Sequence, residues 1–216
     1  MKLDAKRKLI MLEVLFAVLM VVSNVVNEKV IILGSVLLPG SAFIYVITFF
    51  ISNLITEWYG KDEALICLKQ GIVCNIVATS IYILVRYLPA QDLEIQNAFV
   101  LLLGTNWVFV AADITACVIS QYSQITIFSK LRNYVSGQFG NILSMSLSQL
   151  IDTFIFLGIA FGLGFSWAFT PEGRTMFLNM FLTQYAVKLA VAGVLTVVFR
   201  NFLSKELKGD KNEFYT

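Results

Sequence analysis

Gln149 and Asp152 stand three residues apart in SQLIDTFIF, residues 148–156, inside a run that is otherwise apolar. A carboxylate placed there can accept hydrogen bonds or carry half of an ion pair, and the opposite charge at comparable depth is Lys188, near the middle of the last apolar block. Each such charge costs about 2.5–3.5 kcal/mol at the centre of a membrane helix, so it faces a partner, water or a bundle interior. A bridge that only staples two helices together is the plain reading of this pair. A ligand that competes for the pair is the functional reading, and the two are compatible.

Residues 120–128 read SQYSQITIF, so Gln121, Gln124 and Phe128 repeat the i, i+3, i+7 spacing of Gln149, Asp152 and Phe156. Each set falls on one stripe of a helix, two polar groups and an aromatic. Amide contacts between membrane helices are common and worth about 0.6–2 kcal/mol, so packing alone would also explain the echo. Further polar residues fall inside the other apolar blocks: Ser23, Asn24 and Asn27 in the first, Thr48, Ser52, Asn53 and Glu57 in the second, and Asn75 in the third. Asp113 lies in the fourth block, and Gln184 lies one turn from Lys188 in the sixth.

Amides and a carboxylate flanked by Phe128, Phe156, Trp58, Tyr59 and Tyr185 suit a flat, polar heterocycle. Aromatic rings stack on its faces, and a carboxylate accepts from adjacent ring N–H and amino donors such as those on a guanine edge. A permeant metal ion would call for more carboxylates and fewer aromatics.

Several chemistries are excluded by what the chain lacks. It has no histidine, which removes Ser-His and Cys-His nucleophiles and histidine metal sites. Its cysteines, Cys67, Cys74 and Cys117, lie in apolar runs, and Cys67 and Cys74 would stand two helical turns apart, too far to bridge. No metal, cofactor or catalytic residue is expected, and a net charge of +2 gives no reason to expect nucleic acid. There is no G-x-x-x-x-G-K-[ST] segment, so the chain is not expected to hydrolyse ATP. An intramembrane aspartyl enzyme built on Asp113 and Asp152 is an alternative that Lys188 disfavours, because a nearby cation opposes the shared proton such a pair needs.

Positioning these groups requires membrane helices. Of 216 residues, 58% are hydrophobic and 14% charged, where a soluble domain carries roughly a quarter charged. The apolar blocks run about twenty residues, enough to cross roughly 30 Å of hydrocarbon. The sequence therefore predicts an all-α membrane protein, one domain over residues 1–216, with six spans at about 9–27, 41–59, 65–88, 106–128, 143–165 and 175–202. The first is expected to stay as a membrane helix, since its apolar stretch is long for a signal peptide and no small-x-small cleavage pattern follows. Twelve of the sixteen Lys and Arg residues fall on the side of both termini, which predicts cytoplasmic N and C termini. Of the connections, KVIILGSVLLPG (29–40) reads as a short hairpin or re-entrant piece, and EIQNAFVLLLGTNW (94–107) as an interfacial helix.

The segments FFISNLITEWYGKDEA (49–64), SQYSQITIFSKLR (120–132) and SQLIDTFIF resemble the signature segments of the bacterial queuosine precursor transporter family, also called the vitamin uptake transporter family. The resemblance runs in order from about residue 23 to residue 188. It implies a multi-pass carrier of the bacterial inner membrane that imports 7-deazaguanine bases, such as the 7-cyano and 7-aminomethyl forms or queuine, for tRNA modification. Asn24, Asn27, Glu57, Gln121, Gln149, Asp152 and Lys188 match the family pattern, while Asn53 and Gln124 stand where it commonly has Asp. Together with Phe128 and Phe156 these residues form the expected substrate site. The expected partners are the base and the lipid bilayer, and a homodimer is compatible with so much lipid-facing surface. A second alternative stays open, in which the chain is the substrate-binding membrane subunit of an ATP-driven vitamin or nucleobase uptake complex.

Overall fold

The computed structural model describes residues 2–27, 29–33, 36–103, 107–159 and 170–210. Helix α1 (Lys2–Asn27) is followed by strands β1 (Val30–Leu33) and β2 (Val36–Pro39), then by α2 (Ala42–Trp58) and α3 (Lys61–Arg86). The chain continues through α4 (Leu93–Leu103), α5 (Trp107–Leu131), α6 (Gly137–Leu157) and α7 (Pro171–Asp210). The six apolar blocks of the sequence fall on α1, α2, α3, α5, α6 and α7. Two elements lie between them: the β-branched 29–40 stretch forms the antiparallel hairpin β1–β2, registered from Val30↔Pro39 to Leu33↔Val36, and α4 adds a seventh helix.

The expected boundaries shift where local chemistry sets the ends. Between α2 and α3 the chain turns at Gly60, whose φ of +96° suits a residue without Cβ. Asp62 and Glu63 then fill the first turn of α3, where the helix dipole favours acids. Ser136 caps α6, accepting from the Phe139 N–H, so this helix starts six residues before the expected 143. Its expected end at 165 falls beyond α6, and residues 160–169 lie outside the described residues. Pro171 opens α7, where a missing N–H is harmless, and the Thr170 hydroxyl accepts from Gly173 N at 3.1 Å. Helix α1 starts at Lys2 rather than near 9, and α7 runs on to Asp210 rather than stopping near 202.

Among the described residues, four helices are long and apolar enough to cross a membrane: Ala5–Asn27, Lys61–Arg86, Phe139–Leu157 and Pro171–Val194. Helix α2 is shorter, at 17 residues. Helix α5 has the length, 25 residues, but carries Asp113, Ser120, Gln121 and Gln124 in its middle.

Neighbouring helices pack antiparallel. The Ser41 hydroxyl donates to Asn27 Oδ1 where α1 meets α2, and at the other end of the same pair the Tyr59 hydroxyl donates to Ala5 O. Helices α2 and α5 run parallel, with contacts progressing from Tyr45–Asp113 to Ser52–Gln121 to Thr56–Arg132. Between α1 and α3, Gly71 leaves room for the Phe16 ring, which an added Cβ would meet at 2.6 Å. Phe16, Met20, Phe49, Ile55, Ile125 and Met145 form the apolar part of the core.

The bundle is polar within and apolar without. Val14, Val18 and Val22 of α1, Val73, Val77 and Ile81 of α3, and Leu178 and Leu182 of α7 are exposed. Thr48, Ser52, Asn53, Gln121, Gln124, Ser148 and Gln149 are buried. In water such an exposed apolar surface would drive association; against hydrocarbon it is the ordinary exterior.

Candidate substrate cleft between α2, α5, α6 and α7

The end of the bundle that carries the hairpin holds a cleft. Its walls are Asn27 from the last turn of α1, Ser41, Ala42 and Tyr45 at the start of α2, Asp113 and Ala116 of α5, Asp152 and Phe156 of α6, and Gln184 and Lys188 of α7. About 300 Å³ of space lies between these side chains and out through the mouth, but the interior has room for about one water.

Two carboxylates dominate its chemistry. Lys188 Nζ lies 2.7 Å from Asp152 Oδ2, forming an ion pair in which both residues are 5% exposed. Ser120 Oγ donates to the other oxygen, Oδ1, at 3.1 Å, and Lys188 also reaches Thr153 Oγ1 at 3.3 Å. The cation and the hydroxyl compensate the burial of the carboxylate. Across the cleft, the Tyr45 hydroxyl sits astride Asp113, 2.6 and 2.7 Å from its two oxygens. Each carboxylate has its own partner, Lys188 for Asp152 and Tyr45 for Asp113.

Towards the opposite end the polar contacts continue as a ladder. Gln121 accepts from Ser52 Oγ at 2.7 Å and donates to Thr48 Oγ1 at 3.0 Å. Gln124 Nε2 donates to Phe49 O at 2.6 Å. The Asn53 amide donates to Asn141 and, at 3.1 Å, to Ser144 Oγ. Arg132 Nη1 closes that end on Thr56 O at 2.5 Å.

Of the expected binding residues, the structure brings Asn27, Asp152, Phe156 and Lys188 together in the cleft. Gln121, Gln124 and Asn53 are buried in the ladder beneath it, and Gln149 and Phe128 are buried too, the Phe128 ring near Gly140. Asn24 faces α3 instead, donating to Asn75 and to Thr79 Oγ1 at 3.1 Å. Glu57 is exposed at the far end of α2, away from the cleft. The one-turn spacing of Asn53 and Glu57 placed both on a shared face, but one turn further along α2 that face leaves the interior.

Tyr45 and Ser41 also line the cleft, and neither is marked by its sequence context. A tyrosine early in an apolar helix carries no sequence mark of a carboxylate partner 68 residues away. Asp113 and Gln184 were visible as interior polar residues, but only the packing assigns them to the same cleft as Asp152.

A family model described as "Putative vitamin uptake transporter" matches residues 39–201, well over half of the chain. The chain belongs to the vitamin uptake transporter family. Neither a curated protein nor a solved structure matches it. The matched stretch contains every cleft residue of the transporter except Asn27. With its apolar exterior, this makes the chain a multi-pass membrane protein of a transporter family.

Proposed function

We propose that the protein is a bacterial inner-membrane carrier that imports 7-deazaguanine bases, with the cleft as its entry site. The observation that carries this reading is Asp152, a buried carboxylate held by Lys188 and Ser120 in the wall of a cleft that also presents Phe156 and Asp113. A base with adjacent ring N–H and amino donors satisfies such a carboxylate with two parallel hydrogen bonds. Its ring lies against Phe156, and Asn27 and Gln184 reach the remaining polar edge. The segments around Gln121, Gln149 and Asp152, which resemble the queuosine precursor transporters, support this cargo over other vitamins.

A base is much larger than the water-sized interior of the cleft, so binding requires α7 to part from α6. Lys188 then swings away as the base takes its place on Asp152. Rocking of helices about a fixed site is the general route of such carriers. The distribution of Lys and Arg supports the hairpin end as the outer face, from which the cleft would take its base.

Purified protein in liposomes, supplied with radiolabelled 7-cyano-7-deazaguanine, tests the reading. Saturable uptake by this chain alone is expected. Binding without uptake would instead make the chain the binding subunit of an ATP-driven complex, and no binding of any 7-deazaguanine would overturn the cargo.

A further inference from the structure

Beneath the cleft lies a group of buried polar atoms with no hydrogen-bond partner among the described residues. Five of the seven such side-chain atoms belong to four residues: Asn53 Oδ1, Gln124 Oε1, Ser148 Oγ, and both amide atoms of Gln149. Gln124, Ser148 and Gln149 are 0% exposed and Asn53 is 2%. The contacts of Gln124 and Asn53, with the helical spacing of Ser148, place the group within two adjacent turns. Asn53 and Phe49, which Gln124 bonds, are one turn apart on α2. Ser144, which Asn53 bonds, is one turn from Ser148 on α6.

The echoed segments explain why the group exists. Helices α5 and α6 run antiparallel, and Ser120 of the first segment bonds Asp152 of the second. Moving one turn along each helix in opposite directions from that contact leads to Gln124 and Ser148. The serine that opens each segment is thus set against the fifth residue of the other. At one level that residue is a carboxylate and the contact is made; at the other it is an amide, and Gln124 Oε1 and Ser148 Oγ both lack a partner. Gln149 lies three residues from Asp152 on the same stripe of α6, about 4.5 Å further from the mouth. Burying amides without partners costs stability that apolar side chains of the same size would not, which points to use rather than packing.

We propose that Gln149, Ser148, Gln124 and Asn53 form a second, inner binding station, which the base occupies after it leaves the Asp152 cleft. This rests on the deazaguanine carrier reading above. The carboxamide of Gln149 offers a donor and an acceptor side by side, the complement of the carbonyl and ring N–H of a lactam edge. Gln124 Oε1 and Asn53 Oδ1 accept from the exocyclic amino group. The outer station reads the base with a charged carboxylate and the inner one with neutral amides, so the second holds it less tightly. Two stations of unequal strength let a ligand be captured and then released.

The test separates binding from translocation. Gln149→Leu in the full-length protein is assayed for equilibrium binding of radiolabelled 7-cyano-7-deazaguanine in detergent and for its uptake and exchange in liposomes. The expected result is uptake reduced at least tenfold, a much smaller loss of equilibrium binding, and an unchanged or raised unfolding temperature. Wild-type uptake by Gln149→Leu would overturn the inner station and leave the amide as helix packing. Loss of binding along with uptake would overturn it too, by assigning Gln149 to the outer site. Should Gln149→Leu not fold, Gln149→Met and Ser148→Ala take the same measurements with the same outcomes. Failure of the wild-type protein to bind any 7-deazaguanine is a different result, and it removes the carrier reading itself.

Discussion

Ser120 Oγ donates to Asp152 Oδ1 at 3.1 Å, joining the first residue of one echoed segment to the fifth residue of the other. The carboxylate's second oxygen goes to Lys188, so three helices, α5, α6 and α7, meet at one buried group. Any motion that opens the cleft must loosen this junction.

Neutralising one member of the pair leaves the other as an uncompensated buried charge, which costs about 3–5 kcal/mol. Lys188→Met and Asp152→Asn are each expected to lower stability strongly, as read by denaturant unfolding in detergent micelles. The double variant should recover most of that loss while uptake stays abolished. A double variant that transports normally would reduce the pair to a staple between helices.

Tyr45→Phe removes the hydroxyl astride Asp113 without changing the ring. A hydrogen bond to a carboxylate is worth about 1.5–3 kcal/mol, and the loss should fall near the lower end of that range because Asp113 keeps other interactions. A double-mutant cycle with Asp113→Asn should show a coupling above about 0.5 kcal/mol. Additive effects would mean that the two side chains act independently.

Gly40 sits at the neck of the hairpin, where an added Cβ would stand 2.6 Å from Val26 O and 3.0 Å from Lys29 O. Backbone cannot yield as a side chain does, so Gly40→Ala should separate the end of α1 from the start of α2 and break the Asn27–Ser41 hydrogen bond. A cost of about 1–3 kcal/mol is expected, with weaker base binding at the cleft. Thermal unfolding and ligand binding on the same sample measure both.

Cys74 is exposed on α3, while Cys67 and Cys117 are buried. In the folded protein in detergent, N-ethylmaleimide should modify Cys74 first, followed by mass spectrometry of the peptides. Earlier modification of Cys117 would contradict the packing of α5 against α1, where its sulfur lies 3.7 Å from that of Met20.

The apolar helices, the hairpin and the Asp152–Lys188 pair were legible in the chain because each leaves a local mark. Apolar blocks have a length, β-branched runs around a glycine have a pattern, and an isolated charge in hydrocarbon has few ways to be tolerated. Glu57 shows where such marks stop. It shares a helical face with Asn53, yet Asn53 is buried against Asn141 while Glu57 is exposed. Periodicity gives direction around a helix axis but not depth along it, and the end of the bundle is set by neighbours.

A membrane setting, a polar interior and one stripe pattern shared by segments of α5 and α6 can be read from the chain alone. Those are properties of composition and of a 3.6-residue period, which need no partner to be read. Helix packing is what sets the two stripes against each other in opposite directions, so that Ser120 meets Asp152, and what brings Tyr45 and Asp113 into the same cleft. Pairings between residues 32 and 68 apart depend on how whole helices pack, and that geometry is held by the sum of many contacts rather than by any one residue.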